Sequence, residues 1–405
     1  MTKVRLLILL LTFAFLGVFG TATIYYAQGY RLNNESLTLS QKGLLVANSE
    51  PNGAEVIVDG ELKTATNNTI ALDPGNHDII IQKEGFIPWS KKIVIAEEEV
   101  TQINAFLLPV APSLSALTLS GASNPIINTE MTKIAFAVFP ETLPAQAGAS
   151  PSATPIPNSN GKDKSGLWIF EMNNLPLGFN REPRQITSGD LGGASWEFSP
   201  DNTQILLTTK TGSFLVDTAK LNTSSDLVNI ASSLPTIRKE WQKDKDRKLE
   251  SQLTSFPEKL DTAMRKFAKD INLSPDANKI LYTASVSGTL DNGLVVPLPG
   301  ASTQVESRQL EEGNKYVYDT KEDKNFVVGT KEDIIYWLPN SLNLLNPQTN
   351  GVSVLDYDGT NKKVVFTGNY QFPHAYPSSS TGRAIILTSF GSATSPLNLY
   401  WLSLK

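Results

Sequence analysis

After residue 43 most of the chain alternates apolar and polar positions with a period of two, in short runs separated by Gly, Pro, Asn and Asp. A period of two sends successive side chains to opposite faces, so the runs read as β-strands with one side in a core. Two stretches break the pattern. Leu6–Ala27 is a 22-residue run without a charge. Pro235–Asp270 is helical in pattern: Trp241, Leu249, Leu253 and Phe256, then Leu260, Met264 and Phe267, recur at helical spacing. Ser255, with Glu258 three residues on and Pro257 in the first turn, forms a capping box, which predicts two helices meeting near Ser255.

The first break is long enough to cross a bilayer core of roughly 30 Å at about 1.5 Å per residue. Lys3 and Arg5 precede it, and Tyr25 and Tyr26 stand where an interfacial belt lies. The pattern predicts a transmembrane signal anchor over residues 1–28, single-pass, with the N-terminus cytoplasmic and the bulk of the chain extracytoplasmic. A cleaved signal peptide is the rival. Its apolar core is shorter, and Tyr25-Tyr26-Ala27-Gln28-Gly29 makes a poor cleavage site. Residues 29–42 are polar and aperiodic, the character of a stalk.

Residues 43–109 predict a small β-sandwich. Strands around Leu44-Leu45-Val46, Glu55–Val58, His77–Gln82, Trp89–Ile95 and Val100–Leu107 are punctuated by turns at Pro51-Asn52-Gly53, Asp59-Gly60, Asp73-Pro74-Gly75 and Lys83-Glu84-Gly85. The order Pro-x-Gly-Ala, Val-Asp-Gly, Pro-Gly-x-His, Lys-x-Gly-Phe resembles the PEGA domain. Asn52 stands where that signature has Glu, in a turn that tolerates it. Lys63-Thr64-Ala65-Thr66 replaces the usual Gly-x-Thr-Pro turn. The resemblance implies an envelope-associated adhesive or spacer module and supplies no chemistry.

From residue 113 to 405 the strand pattern repeats. Ser199-Pro200-Asp201 is followed by Ile205-Leu206, and Ser274-Pro275-Asp276 by Ile280-Leu281, at the same offset. Pro sets φ and Asp bonds its own backbone, so each is a hairpin turn between strands. The turns are 75 residues apart, and removing residues 235–270 leaves 39, close to the roughly 40–45 of a propeller blade. Further strand sets are expected over Asn124–Val138, Gly166–Glu171 with Arg184–Thr187, Tyr316–Val328, Ile334–Leu345, Gly351–Gly368, Tyr376–Thr388 and Leu397–Leu404. In the second set Leu227–Ile230 is expected as an outer strand. These repeats resemble those of TolB-type β-propellers, with Ile186-Thr187 and Phe366-Thr367 ending outer strands, and Pro377–Gly382 as a drifted turn. The expectation is a ring of about five blades carrying a helical insertion at 235–270, sealed by Leu114–Leu119 joining the last blade. Residues 140–165 hold almost no large apolar group and are expected as a disordered loop.

Composition narrows the chemistry. The net charge of −5 and pI near 5.3 argue against a nucleic-acid partner. With no cysteine there is no disulfide, thiolate metal ligand or cysteine nucleophile. The two histidines, His77 and His374, are too far apart in sequence and predicted domain to build a zinc site. His77 reads as a turn residue at a strand start. Asp356-x-Asp358-Gly359 starts like a calcium loop but lacks the closing Glu, and reads as a hairpin turn. No nucleophile elbow, phosphate loop or dinucleotide fingerprint occurs, and no cofactor or metal is expected. Tyr370, Phe372, His374 and Tyr376 cluster in what reads as an inter-blade loop, where exposed aromatics suit a sugar or peptide contact. Packing of strand ends is the other use for them. The sequence thus describes an anchored cell-envelope binding or scaffolding protein, with envelope protein or cell-wall glycan as partner. An envelope hydrolase or lyase with acids or His374 at the propeller mouth is the alternative.

Overall fold

The computed structural model describes residues 3–27, 30–32, 39–140, 164–172, 182–298, 304–390 and 395–405. The expected disordered loop at 140–165 lies almost wholly outside them. The chain divides into two units, Met1–Val110 with Leu298–Val305, and Ala111–Pro297 with Glu306–Lys405.

The first unit opens with α1 (Lys3–Ala27), a 25-residue helix. Its described side chains, Ile8 to Ile24, are all exposed. Among the described residues no helix is long and apolar enough to cross a membrane. Within the expected stalk β1 (Tyr30–Leu32) pairs antiparallel with β2 (Leu39–Gln41).

Two sheets then stack. One holds β3 (Gly43–Glu50), β6 (Asn68–Leu72) and β9 (Val100–Phe106) in the order β6-β3-β9. The other holds β4 (Glu55–Val58), β5 (Glu61–Ala65), β7 (Gly75–Gln82) and β8 (Trp89–Ile95) in the order β5-β4-β7-β8. Alternate residues point inward, so Leu45, Ala47, Val56, Val58, Ile79 and Ile81 form a core at 1% exposure or less. Asp59 and Gly60 both have positive φ, 51° and 84°, as the two-residue hairpin turn requires. Lys63-Thr64-Ala65 continues strand β5, and the hydroxyl of Thr66 accepts from Ala54 N and bonds Ser49, which closes the core edge.

Among the described residues the second unit contains five antiparallel sheets in chain order. Its first strand is β10 (Leu114–Ala116). Sheet I is β11 (Ser123–Ile127), β12 (Lys133–Val138), β13 (Gly166–Glu171) and β14 (Arg184–Ser188). Sheet II is β15 (Ser195–Phe198), β16 (Gln204–Thr209) and β17 (Gly212–Asp217). Helices α2 (Leu234–Leu253) and α3 (Glu258–Phe267) follow. Sheet III is β18 (Ala268–Leu273), β19 (Lys279–Ala284), β22 (Lys315–Asp319) and β23 (Lys324–Gly329), with the small ribbon β20 (Gly288–Thr289) and β21 (Gln309–Leu310) inserted. Sheet IV is β24 (Tyr336–Trp337), β25 (Asn343–Gln348), β26 (Gly351–Asp356) and β27 (Lys363–Thr367). Sheet V is β28 (Tyr370–Pro377), β29 (Arg383–Thr388) and β30 (Asn398–Ser403).

Sheet V takes its fourth strand from the start of the unit: β10 pairs with β30, Leu114 opposite Leu402. Past β10 the amides of Leu117 and Thr118 bond Leu399 O, and Asn398 Oδ1 accepts from Thr118 Oγ1 and Gly121 N, both at 3.0 Å. The seam expected from the sequence is therefore present. Each sheet is itself open, and the shared strand brings the order of sheets back to its beginning, the arrangement of a propeller.

Consecutive sheets pack face to face with one exception. Phe136 and Phe170 of sheet I meet Ile385 and Leu399 of sheet V. Ala135 and Ile169 meet Ile205 and Leu207 of sheet II, and Leu281 and Val317 of sheet III meet Trp337 and Leu355 of sheet IV. Tyr336 of sheet IV lies 6.0 Å from Tyr376 of sheet V. The other face of sheet III, with Ile280, Tyr282, Tyr316 and Tyr318, is covered by Leu253, Leu260, Met264 and Phe267 of the helices. Thus α3 and the end of α2 occupy the position a neighbouring sheet would fill.

The inner hairpins repeat beyond what the sequence displays. Asn128 N bonds Lys133 O, Ser199 N bonds Gln204 O, Ser274 N bonds Lys279 O, Leu338 N bonds Asn343 O and Ser378 N bonds Arg383 O, one closure per sheet. In four of them the fourth turn residue is left-handed: Met131 φ 53°, Asn202 φ 60°, Ala277 φ 57° and Ser341 φ 60°.

Three expectations need correcting. The helical segment ends at Phe267, and Ala268–Leu273 is strand β18. Ser255 does not cap α3; its Oγ donates back to Gln252 O, and Pro257 takes the N-cap position. Leu227–Ile230 is not a strand. Sheet II has three, and its outer edge is satisfied by side chains: Asn222 bonds both N and O of Asp217, while Asn229 accepts from Ser213 N and Ile230 N bonds Ser213 O.

Candidate functional site at the inner strand of sheet V

The four aromatic residues singled out in the sequence lie in β28, the innermost strand of sheet V, rather than in a loop between sheets. Tyr370 pairs with Thr388 and Ala375 with Ile386, so β28 spends four residues where β29 spends one. The extra residues form a bulge holding Phe372, Pro373 and His374. Proline has no N–H to donate, and a bulge is where a strand accepts it. The Phe372–Pro373 peptide is cis.

The structure separates the four residues. Tyr370 is 7% exposed; its hydroxyl donates to Gln348 O and its ring stands edge-on to Phe366 at 6.3 Å. Burial pushes that hydroxyl up to about 12. Tyr370 therefore fastens sheet V to sheet IV. Tyr376 is 6% exposed and donates its hydroxyl hydrogen to Pro125 O at 2.6 Å, fastening sheet V to sheet I. Burial raises its pKa, with Tyr336 adding to the effect. Both match the packing use of aromatics.

His374 and Phe372 are differently placed. His374 Nδ1 lies 2.8 Å from the Tyr376 hydroxyl. That hydroxyl has one hydrogen, already given to Pro125 O, so Nδ1 must be the donor. Burial lowers the pKa of His374, partly opposed by the backbone carbonyl of Pro125, which favours a protonated ring. The consistent state is a neutral ring with hydrogen on Nδ1 and a lone pair on Nε2, able to accept from a hydroxyl or amide. Phe372 is 37% exposed. The bulge thus offers an aromatic edge next to one acceptor. Tyr336 and Pro125, not among the residues the sequence points to, complete the surroundings. Leu338-Pro339-Asn340 just after Tyr336, a worn copy of Ser-Pro-Asp, was the available signal that Tyr336-Trp337 is an inner strand.

The first unit has its own cluster. His77 lies within β7; Nδ1 is 2.6 Å from Asp59 Oδ2 and Nε2 is 2.7 Å from Asp73 O. It ties the Asp59-Gly60 hairpin to the Asp73-Pro74 turn, beside an open cleft of about 500 Å³ that Lys42, Glu61 and Lys63 also line. Burial works to raise the Asp59 pKa, but hydrogen bonds from His77 and Asp78 N outweigh it and hold the carboxyl below its usual value. Among the described residues no group of three or more His, Asp or Glu is arranged to hold a metal ion. Asp356 and Asp358 instead accept from Asn343, Thr360 and Asn361 within their own hairpin.

With seven strands in two sheets and hairpin and turn residues at the expected positions, the first unit can be matched. Residues 42–110 match the PEGA domain. The PEGA domain is therefore the β3–β9 sandwich together with its short flanks. Solved structures similar to much of the chain include a TolB-like protein from Agrobacterium tumefaciens, at 9% identity and TM-score 0.22, covering 70% of this chain and 78% of that one. TolB from Acinetobacter baumannii is similar at 10% identity and TM-score 0.19, covering 81% and 60%. An acylaminoacyl peptidase from Pyrococcus horikoshii is similar at 11% and 0.20, covering 70% and 38%. TM-scores this low carry no argument, and the propeller description rests on the sheet order and the seam. No curated protein matches the chain.

Proposed function

We propose that this is a cell-envelope binding or scaffolding protein, anchored in the membrane by α1 and presenting a PEGA domain and a propeller outside the cytoplasm. The observation that carries the reading is the combination of a PEGA domain and a five-sheet ring on one chain behind a 25-residue apolar helix. In α1 the hydroxyls of Thr12, Thr21 and Thr23 donate to the carbonyls of Ile8, Gly17 and Phe19, so none of these three hydroxyl hydrogens needs water. That supports a helix suited to lipid. The partner is an envelope protein or cell-wall glycan, met by Phe372 and the Nε2 of His374 at the β28 bulge.

The test is a pull-down with the full chain in detergent against envelope fractions, alongside Phe372→Ala and His374→Ala. Capture by the parent and loss in both variants, with unchanged melting, is the expected result. Equal capture by all three removes the β28 site. Recovery of the full-length chain as a freely soluble species in cells removes the anchor. Turnover of a glycan, abolished by one acid substitution, replaces binding with catalysis.

A further inference from the structure

The two outward faces of the PEGA sandwich differ in charge. On the four-stranded sheet, Glu55, Asp78 and Lys92 point outward; Asp78 and Lys92 are cross-strand partners 3.5 Å apart. On the three-stranded sheet the register places Leu44 between Ala71 and Val100, Val46 between Thr69 and Gln102, and Asn48 beside Asn104. These are the positions alternate with the core residues Leu45, Ala47 and Ser49, so they form the outward surface. None of these carries a charge; charged groups stand only at its borders, Lys42 paired with Asp73 beside the Ala71 edge, Glu97-Glu98-Glu99 before Val100, and Glu50 at the end of β3. Val100 is 63% exposed and Leu44 39%.

The amides on this face are pre-arranged. Asn104 Oδ1 accepts from Asn48 Nδ2 at 3.0 Å and from Gln102 Nε2 at 3.1 Å. One oxygen holding both donors fixes three side chains. The Asn104 amide hydrogens, Asn48 Oδ1 and Gln102 Oε1 then remain for a ligand, so donor and acceptors sit side by side. Next to them runs an aliphatic strip of Leu44, Val46 and Val100. Strands about 4.8 Å apart, with outward side chains about 6.8 Å apart along each, make the whole a flat grid.

We infer that this face binds a neutral, hydroxyl-rich glycan chain. Along the grid itself a charged polymer finds no counter-ion, the charges at its borders being of both signs, and a purely apolar partner would bury the amides unpaired at a cost. Sugar hydroxyls both donate and accept, which matches the mixed amide cluster, while the C–H faces of the rings suit the aliphatic strip. The inference rests on the envelope-binding reading and moves the glycan contact to the PEGA domain.

The test is titration calorimetry of the full chain in detergent with two soluble probes, a chito-oligosaccharide and a polygalacturonate, and with Asn104→Ala, Val100→Glu and, on the opposite sheet, Lys92→Ala. The expected result is binding of the neutral oligomer, weakened ten-fold or more by Asn104→Ala and by Val100→Glu, unchanged by Lys92→Ala, with all variants melting like the parent. Tighter binding of the polyanion, or self-association abolished by Val100→Glu in place of glycan binding, overturns it. So does silence toward the neutral oligomer while envelope capture through Phe372 and His374 persists, and that outcome leaves the envelope-binding reading standing.

Discussion

The hydroxyl of Tyr376 donates to the carbonyl oxygen of Pro125 at 2.6 Å, joining inner strands 251 residues apart. It also accepts from His374, so one oxygen serves two strands and the bulge. Tyr376→Phe keeps the ring packing and leaves two buried polar groups without this partner. The expected cost is about 2 kcal/mol of unfolding free energy, read by urea titration, together with altered pH dependence of the His374 ring signals in NMR. A variant as stable as the parent would show that the hydroxyl contributes nothing.

Asn398 is a second fastening. Its Oδ1 receives both Thr118 Oγ1 and Gly121 N, across the seam. Asn398→Ala removes both bonds and is expected to lower stability by about 2–3 kcal/mol, seen as a fall in the melting temperature of the propeller transition and unchanged melting of the PEGA domain.

Ala277 occupies a left-handed turn position at φ 57°, where an L side chain is disfavoured. Ala277→Gly relieves that cost and returns part of it as unfolded-chain entropy. A net stabilisation of about 0.5–1 kcal/mol is expected, measurable as a higher denaturation midpoint at unchanged m-value.

Trp337 is completely buried, and its Nε1 donates to Asn272 O of the neighbouring inner strand at 3.2 Å. Trp337→Ala is expected to cost about 3–5 kcal/mol. Because it sits between sheets III and IV, exchange of the amides of both sheets should accelerate together.

Acid sensitivity has an identifiable source. Burial works to raise the pKa of Asp276, but hydrogen bonds from Asn278 and Ser274 outweigh it and leave the folded value at about 2, against 3.8 for a free group. A depressed carboxylate contributes stability that is complete above the unfolded value and is lost as pH falls from 3.8 toward 2. Asp201, held by Ser199 in the equivalent turn, is also depressed. Asp276→Asn should lower stability near neutrality, flatten its fall over that acid range and converge with the parent at the acid end; an unaltered acid limb would contradict this.

What could be read from the chain follows from where the information is local. Ser-Pro-Asp marks its turn because Pro and Asp impose the geometry by themselves, so the hairpins at Ser199 and Ser274 were readable. The hairpins at Asn128, Leu338 and Ser378 have the same backbone closure but hold it with other side chains, so the sequence shows the last two only as worn copies and leaves the first unmarked. The helices were readable because Leu260, Met264 and Phe267 bury one face. Their role beside sheet III was not, because it depends on Tyr282 and Tyr316, far along the chain. The β28 residues were found by composition and misplaced as a loop, since Pro373 interrupts the alternation at the bulge. Their separation into two fastenings and an open edge depends on partners, Gln348 and Pro125, that no local pattern names.

The pairing of Leu114 with Leu402 sets a timetable for biosynthesis. A nascent chain has every sheet but the last in hand and cannot bolt the assembly until Asn398–Ser403 emerges. Until then the flank of sheet V and its neighbour are open to proteases and holding factors, so damage to the final eight residues should be felt at the start of the ring as much as at its end.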